Sequence, residues 1–234
     1  MKLGIMQPYF FPYVGYFELI QRTDQWVVFD TAQYRARSWM NRNRILHPDK
    51  GWQYVTAPVA SFERFAPISA IRLRDPDETL RRILGQLEHY RRRAPHYGTV
   101  ADLVRRVFEG CENDTLTELN VRGLTEVCAL LDIPFHCSLF SEMDLDLPEI
   151  THPGQWALEI SAAMGAEEYV NPPGGRELFD PEAFGAKNIR LTITEPADLV
   201  YSCRGWDFEP GLSILDVLMW CEPATVRQWL ESRA

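Results

Sequence analysis

The stretch Gln7-Pro8-Tyr9-Phe10-Phe11-Pro12-Tyr13-Val14-Gly15-Tyr16-Phe17 constrains the fold more than any other part of the chain. Proline removes a backbone donor and fixes φ, so this aromatic segment suits neither a helix interior nor a central strand. A rigid loop is predicted. Apolar runs at 2–6 and 25–30 flank it, separated by about one helix of sequence from Gly15 to Arg22, an order that calls for a parallel strand pair. A loop so placed lies at the carboxyl edge of an α/β sheet, where ligands bind. An aromatic-rich lead-in to the core is the open alternative.

A chain of 234 residues suits one large domain, 1–234, and buries a substantial core. Its 46% hydrophobic content is a globular value, and no disordered tract stands out. No apolar run approaches the roughly 20 residues of a membrane span, and no basic segment followed by an apolar signal core opens the chain. A soluble, cytoplasmic protein without membrane insertion is expected. The net charge of −9 argues against nucleic acid as a partner, because such binding needs a basic footprint. Local basic clusters survive that objection: Arg35, Arg37, Arg42 and Arg44 can hold a phosphate or carboxylate, whereas Arg91, Arg92 and Arg93 suit a helix C-terminus. Five cysteines without a C-x-x-C pair indicate neither a disulfide framework nor a cysteine zinc site. The histidines lack the i, i+4 spacing of a helical metal pair, so no metal site is expected, and no cofactor is specified.

Alternation around Arg44-Ile45-Leu46 and Gln53-Tyr54-Val55-Thr56 predicts two strands, and Ile68 to Leu73 alternates again. A helix is predicted from Pro76 to Arg93, capped by Asp75 and carrying an i, i+3, i+4 apolar stripe. Helices over Val100 to Glu109 and Leu116 to Leu131 follow, the latter with Asp114 as its expected cap. Residues 76–131 are therefore the candidate helical insertion or subdomain. Ile133 to Phe140 is strand-like, Trp156 to Met164 is a helix closed by Gly165, and Glu168 to Asn171 is a strand opening into Pro172-Pro173-Gly174-Gly175. Residues 189–193 and 198–202 are expected late strands. Leu212 to Trp220 and Pro223 to Glu231 are terminal helices, started by Ser213 and Pro223.

Three motifs, Met6-Gln-Pro-Tyr-Phe-Phe-Pro-Tyr-x-Gly-Tyr-Phe-x-Leu-Ile20, Trp39-x-Asn-Arg-Asn-x-Ile45 and Leu212-Ser-Ile-Leu-Asp-Val-Leu218, occur in this order along the chain. Together they resemble the WbqC-like family. The resemblance implies an association with bacterial surface-polysaccharide and secondary-metabolite gene clusters, and it does not fix a reaction. The opening is also similar to that of HUP-type nucleotidylyltransferases, whose H-x-G-H motif falls on Tyr13-Val14-Gly15-Tyr16. That comparison implies an α/β fold, a Rossmann-like, mainly parallel sheet. Gly15 suits close approach of backbone to phosphate, but tyrosines replace both histidines and make poor cationic clamps.

Several residues offer chemistry. Trp39, Asn41, Arg42, Asn43 and Arg44 combine an indole with amides and guanidinium groups that can grip a phosphate or carboxylate, or else form a polar turn. Asn171 and Arg176 flank glycines that expose backbone N–H groups; a simple turn is equally open. Ser138 and Ser141 follow a predicted strand and suit either phosphate binding or capping. Asp30, at the end of the second predicted strand, faces the expected crevice. Cys203 precedes Arg204, which can favour a thiolate, and His152 is the most loop-like base for it; a small buried side chain is the competing reading.

The expectation is a transferase in bacterial glycan or natural-product biosynthesis, acting on an activated small-molecule substrate: a nucleotide-sugar or a carrier-bound acyl or aminoacyl group, with an acyl carrier protein as a potential partner. Gln7, Tyr13, Gly15, Tyr16, Trp39, Asn41, Arg42, Asn43, Asn171 and Arg176 are the expected ligand-binding residues, and Asp30, Cys203 and His152 the catalytic candidates. The alternatives are a thioester acyltransferase using Cys203 and a non-catalytic sugar-nucleotide-binding or scaffold protein.

Overall fold

The fold is a mixed α/β arrangement built on a five-stranded parallel sheet, seen in a computed structural model that describes residues 1–195 and 197–233. In chain order, β1 (Lys2–Met6), α1 (Val14–Gln21) and β2 (Gln25–Val28) form the opening unit, and β3 (Arg42–Leu46) and β4 (Trp52–Thr56) a hairpin outside the main sheet. Three helices follow: α2 (Pro76–Leu87), α3 (Tyr97–Glu109) and α4 (Leu116–Leu131). The chain returns through β5 (Cys137–Leu139), α5 (Gln155–Ala163), β6 (Glu168–Asn171), α6 (Pro181–Ala186) and β7 (Arg190–Ile193), and ends in α7 (Ile214–Trp220) and α8 (Pro223–Glu231).

The strands lie in the order β5-β2-β1-β6-β7, every neighbouring pair parallel. Such a sheet needs apolar cover on both faces, and the central strands supply it. Trp26, Val28 and Val170 join a core completed by α1, α2, α3, α4, α7 and α8. Leu3, Ile5, Val27 and Tyr169 face the opposite way, onto α5 and α6. Between β1 and β6 the direction of strand succession reverses, since α1 carries the chain to one side of β1 while β6 lies on the other.

Side-chain caps start four of the eight described α-helices, α2, α4, α6 and α7. Asp75 accepts from the Glu78 N–H, and Ser213 from the Leu215 N–H. Gly165 adopts φ +66 just beyond α5, the left-handed position that lacks a steric penalty only for glycine. Four local expectations are corrected. Asp114 takes a left-handed φ of 54, which leaves Thr115 as the residue whose hydroxyl caps α4. Residues 68–73 make a single helical turn and isolated bridges, because Ile68, Ile71 and Leu73 are drawn individually into the core. The helix expected from Pro76 to Arg93 ends at Leu87 and tightens into one further turn through Tyr90. Residues 198–202 pair with no strand, and Asp198 borders a cleft instead.

Candidate functional site

A cleft of about 900 Å³ opens at the carboxyl ends of β1 and β6, where the strand order reverses, the place where open α/β sheets bind ligands. Its floor is Ile5, Met6 and Gln7 from β1 and Tyr169 and Asn171 from β6. One wall is Tyr9, Tyr13, Gly15 and Trp39; the other is Pro153, Trp156, Phe179 and the Pro172–Gly175 loop. Glu195 and Asp198 stand at its rim. Among the described lining residues there is no Lys, Arg, His, Cys or Ser side chain. The carboxylates are Glu18, Glu195 and Asp198, and Glu18 is neutralised by Arg22 at 3.0 Å and Arg233 at 3.1 Å.

Tyr13 is the hinge of the first wall. It occupies the N-cap of α1 without a side-chain cap, and its ring lies over Gly15 so closely that a Cβ there would come 2.4 Å from the ring. Gly15 is thus required by packing as well as by access to the α1 N-terminus. Burial first, then the negative charge around Tyr9, Glu18 and Asp198, raises the Tyr13 hydroxyl above its ordinary pKa. It is a hydrogen-bond donor at neutral pH.

Several polar side chains of the first two motifs hold backbone groups in the structure. Asn43, only 3% exposed, donates to the carbonyls of Phe10 and Phe11 at 3.2 and 2.9 Å and accepts from the Arg44 N–H. Asn41 is buried and donates to the Ala57 carbonyl. Tyr16 is buried and donates to the Gln7 carbonyl at 2.8 Å. Ser213, which the sequence marked only as a helix start and motif residue, and Asn120, which no motif marked, complete the clasp. The Ser213 hydroxyl donates to Phe11 O while its N–H donates to Arg44 O, and the Asn120 amide donates to both Pro8 O and Met40 O. Phe11, at φ 39, is held in a strained backbone by these contacts. The three motifs therefore meet, and their polar atoms fix the wall on which Tyr13 and Trp39 stand.

Of the expected ligand-binding residues, the cleft brings together Gln7, Tyr13, Gly15, Trp39 and Asn171. Asn43 borders a smaller recess of about 240 Å³ beside Tyr13, Trp39 and Arg44. Arg42 stands apart, its guanidinium 3.9 Å from the Tyr54 ring centroid. Arg176 is exposed and pairs with Glu195 at 3.6 Å. Asp30 is fully buried and accepts from the Ser141 N–H and hydroxyl at 2.9 and 2.6 Å; its carboxylate caps the turn after β5 and does not line the cleft. Cys203 is buried, its thiol pushed up to about 12 by burial and then by the charge of Asp216 and Cys221. Arg204 is exposed and gives it no stabilisation. His152 sits exposed before α5, its Nδ1 accepting from the Gly154 N–H, and no hydrogen bond among the described residues links it to Cys203.

The meeting of the opening loop, the β3 approach and the start of α7 on one clasp spans the chain from end to end, and the WbqC-like protein family matches residues 7–228. The chain belongs to the WbqC-like family. This WbqC-like protein is 30% identical over 218 residues to the uncharacterized protein Rv1507c of Mycobacterium tuberculosis, covering 93% of the chain and 92% of that relative. No solved structure matches it.

The opposite wall was the part that sequence reasoning missed. Trp156, Phe179, Thr194, Glu195 and Asp198 carry no local motif; only the Asn171-Pro-Pro-Gly-Gly turn after a predicted strand pointed to that side. No helix is long and apolar enough to cross a membrane among the described residues.

Proposed function

We propose that this protein is a cytoplasmic transferase of bacterial glycan or natural-product assembly that binds an activated small molecule, a nucleotide-sugar or a carrier-bound acyl or aminoacyl group, in the switch-point cleft. The observation that carries the reading is the position of the cleft, with the α1 N-terminus and Gly15 on one side and the Asn171–Gly175 turn on the other. The N–H groups at the start of α1 and the Gly174 N–H across the cleft can meet an anionic leaving group, since Pro172 and Pro173 carry no N–H and that of Gly175 donates to the Pro172 carbonyl, and the aromatic walls accept an uncharged ring or chain. The strand-loop-helix opening and the reversal of strand order support a Rossmann-like, HUP-related architecture, with 76–131 as a helical insertion.

With Thr194 as the lone aliphatic hydroxyl among the described lining residues and no thiol or imidazole there, the chemistry that fits is direct transfer. An acceptor hydroxyl or amine attacks the activated carbon as Asp198 or Glu195 takes its proton, and the leaving group departs with its bonding electrons. The buried, weakly acidic Cys203 lends no support to a thioester route. The same scarcity of nucleophiles favours, as a second reading, a protein that binds the activated molecule without turning it over.

Calorimetry with nucleotide-sugars and acyl-phosphopantetheine compounds tests the proposal. Saturable binding by the wild type that Trp156→Ala weakens about tenfold, a loss of about 1.4 kcal/mol, is expected. Turnover of the bound compound with an added acceptor separates transferase from binding protein. Absence of saturable binding across both ligand classes would contradict the proposal.

A further inference from the structure

We propose that the β3–β4 hairpin and the loop before it form a docking face for a small acidic protein that carries its cargo on a flexible, phosphorylated arm, the arm passing Trp39 into the cleft. The proposal rests on the cleft being the site for an activated group, and it specifies the carrier.

Charge carries the argument. Residues 31–74 hold eight basic and two acidic side chains, a local net charge of +6 on a chain of net −9. Arg35, Arg42 and Arg44 take no part in the ion pairs found among the described residues. Two of these guanidinium groups lie against rings instead: Arg42 over Tyr54, and Arg44 at 5.5 Å from Trp39 and 5.1 Å from Trp52. Trp39 and Trp52 remain 41% and 40% exposed. Cross-strand pairing of Arg44 with Tyr54 and of Leu46 with Trp52 puts these groups on one face of the hairpin. Arginine beside exposed aromatic is the composition of a protein-binding surface, and the local positive charge selects an acidic partner.

The cleft itself adds the arm. Its described lining holds no basic side chain, and Arg22, Arg233 and Arg176 beside it are paired with the lining carboxylates Glu18 and Glu195, which leaves Arg35, in a recess with Gln7, Tyr9 and Trp39, and Arg44, in the recess beside Tyr13, as bordering cations outside the ion pairs among the described residues. A ligand with its phosphate at the mouth and a neutral, flexible length inside matches this polarity. A nucleotide-sugar would have to bring a diphosphate past Asp198 into a site without a cation. An anionic polysaccharide would satisfy the arginines and leave the cleft without a role.

The test titrates the protein with a panel of small acidic carrier proteins of the phosphopantetheine type, each in apo and holo form, and with hyaluronate as an anionic glycan. Apo carrier should bind through the face alone, holo carrier more tightly, and both more weakly as salt rises. Arg42→Glu and Trp52→Ala, both outside the cleft lining, should each weaken apo-carrier binding about tenfold or more. Their melting temperatures, and their binding of free acyl-phosphopantetheine, should match the wild type. The proposal is overturned if no carrier binds, if both variants bind carrier as the wild type does, or if hyaluronate alone engages the face. If free acyl-phosphopantetheine and nucleotide-sugars fail to bind while apo carrier still depends on Arg42 and Trp52, the cleft reading fails and the docking face stands.

Discussion

Asn43 carries more of the site than any residue that touches the cleft, because one amide holds two consecutive carbonyls of a loop whose Phe11 is in a left-handed conformation. Asn43→Ala leaves the Phe10 carbonyl and the Arg44 N–H without partners, at roughly 1–3 kcal/mol for each unsatisfied group, while the Phe11 carbonyl keeps the Ser213 hydroxyl. A loss of about 2–4 kcal/mol is predicted, read by chemical denaturation. Arg42→Ala removes a guanidinium resting on a ring, and its stability effect should stay within about 1 kcal/mol. Equal losses in the two variants would contradict this division of roles. Cys203 offers a separate check. With its thiol pushed up to about 12, it should resist alkylation by iodoacetamide in the folded protein at neutral pH and react after denaturation, as followed by mass spectrometry. Rapid modification of the native protein would return it to the nucleophile candidates.

Asp216 decides how the elements hold together. This fully buried carboxylate on α7 accepts from Tyr90 and, at 2.6 Å, from Tyr201, and also from the Leu46 N–H at the end of β3. It ties the hairpin to the helical side of the molecule. Asp216→Ala orphans two hydroxyls and should cost about 2–4 kcal/mol of unfolding free energy. Burial raises its pKa above the ordinary value, against the lowering effect of the tyrosine hydrogen bonds. The folded state therefore holds the proton more tightly than the unfolded chain. The stability from this group is fully present below the unfolded pKa of about 4 and is lost as pH rises through the higher folded value. Wild type should thus lose stability relative to Asp216→Asn over that window, and a constant difference from acid to neutral pH would contradict the shift. Elements with strong local signals were legible in the sequence: the proline-bounded loop, the β3–β4 strands and the capped start of α2, whereas the alternation at 68–73 misled. The contacts of Asn43, Ser213 and Asn120 were not legible. An amide that clamps a backbone 33 residues away has the same local sequence as one that reads a ligand, and only the tertiary pairing separates them.

For the whole molecule, the reversal of strand order between β1 and β6 leaves an opening that the aromatic loop walls on one side and the Pro172–Gly175 turn on the other. The first wall could be read from the chain because its prolines and glycine mark it. The second depends on where α5 and residues 194–198 come to lie, which no short pattern encodes. Gly15→Ala would press a methyl group into the Tyr13 ring and drive that ring into the cleft. Ligand affinity should fall about tenfold or more while the fold persists, as read by calorimetry beside circular dichroism; unchanged affinity would move the site away from Tyr13.

The most direct test of the cleft as the binding site is the set of tryptophan indole N–H resonances during titration with nucleotide-sugars and acyl-phosphopantetheine. The resonances of Trp39 and Trp156, on opposite walls, should shift together and saturate at one stoichiometric equivalent, while that of Trp26, on β2 with its side chain buried in the larger core, stays fixed. Saturable shifts confined to Trp206 and Trp229, or none at Trp39 and Trp156 across both ligand classes, would contradict the account.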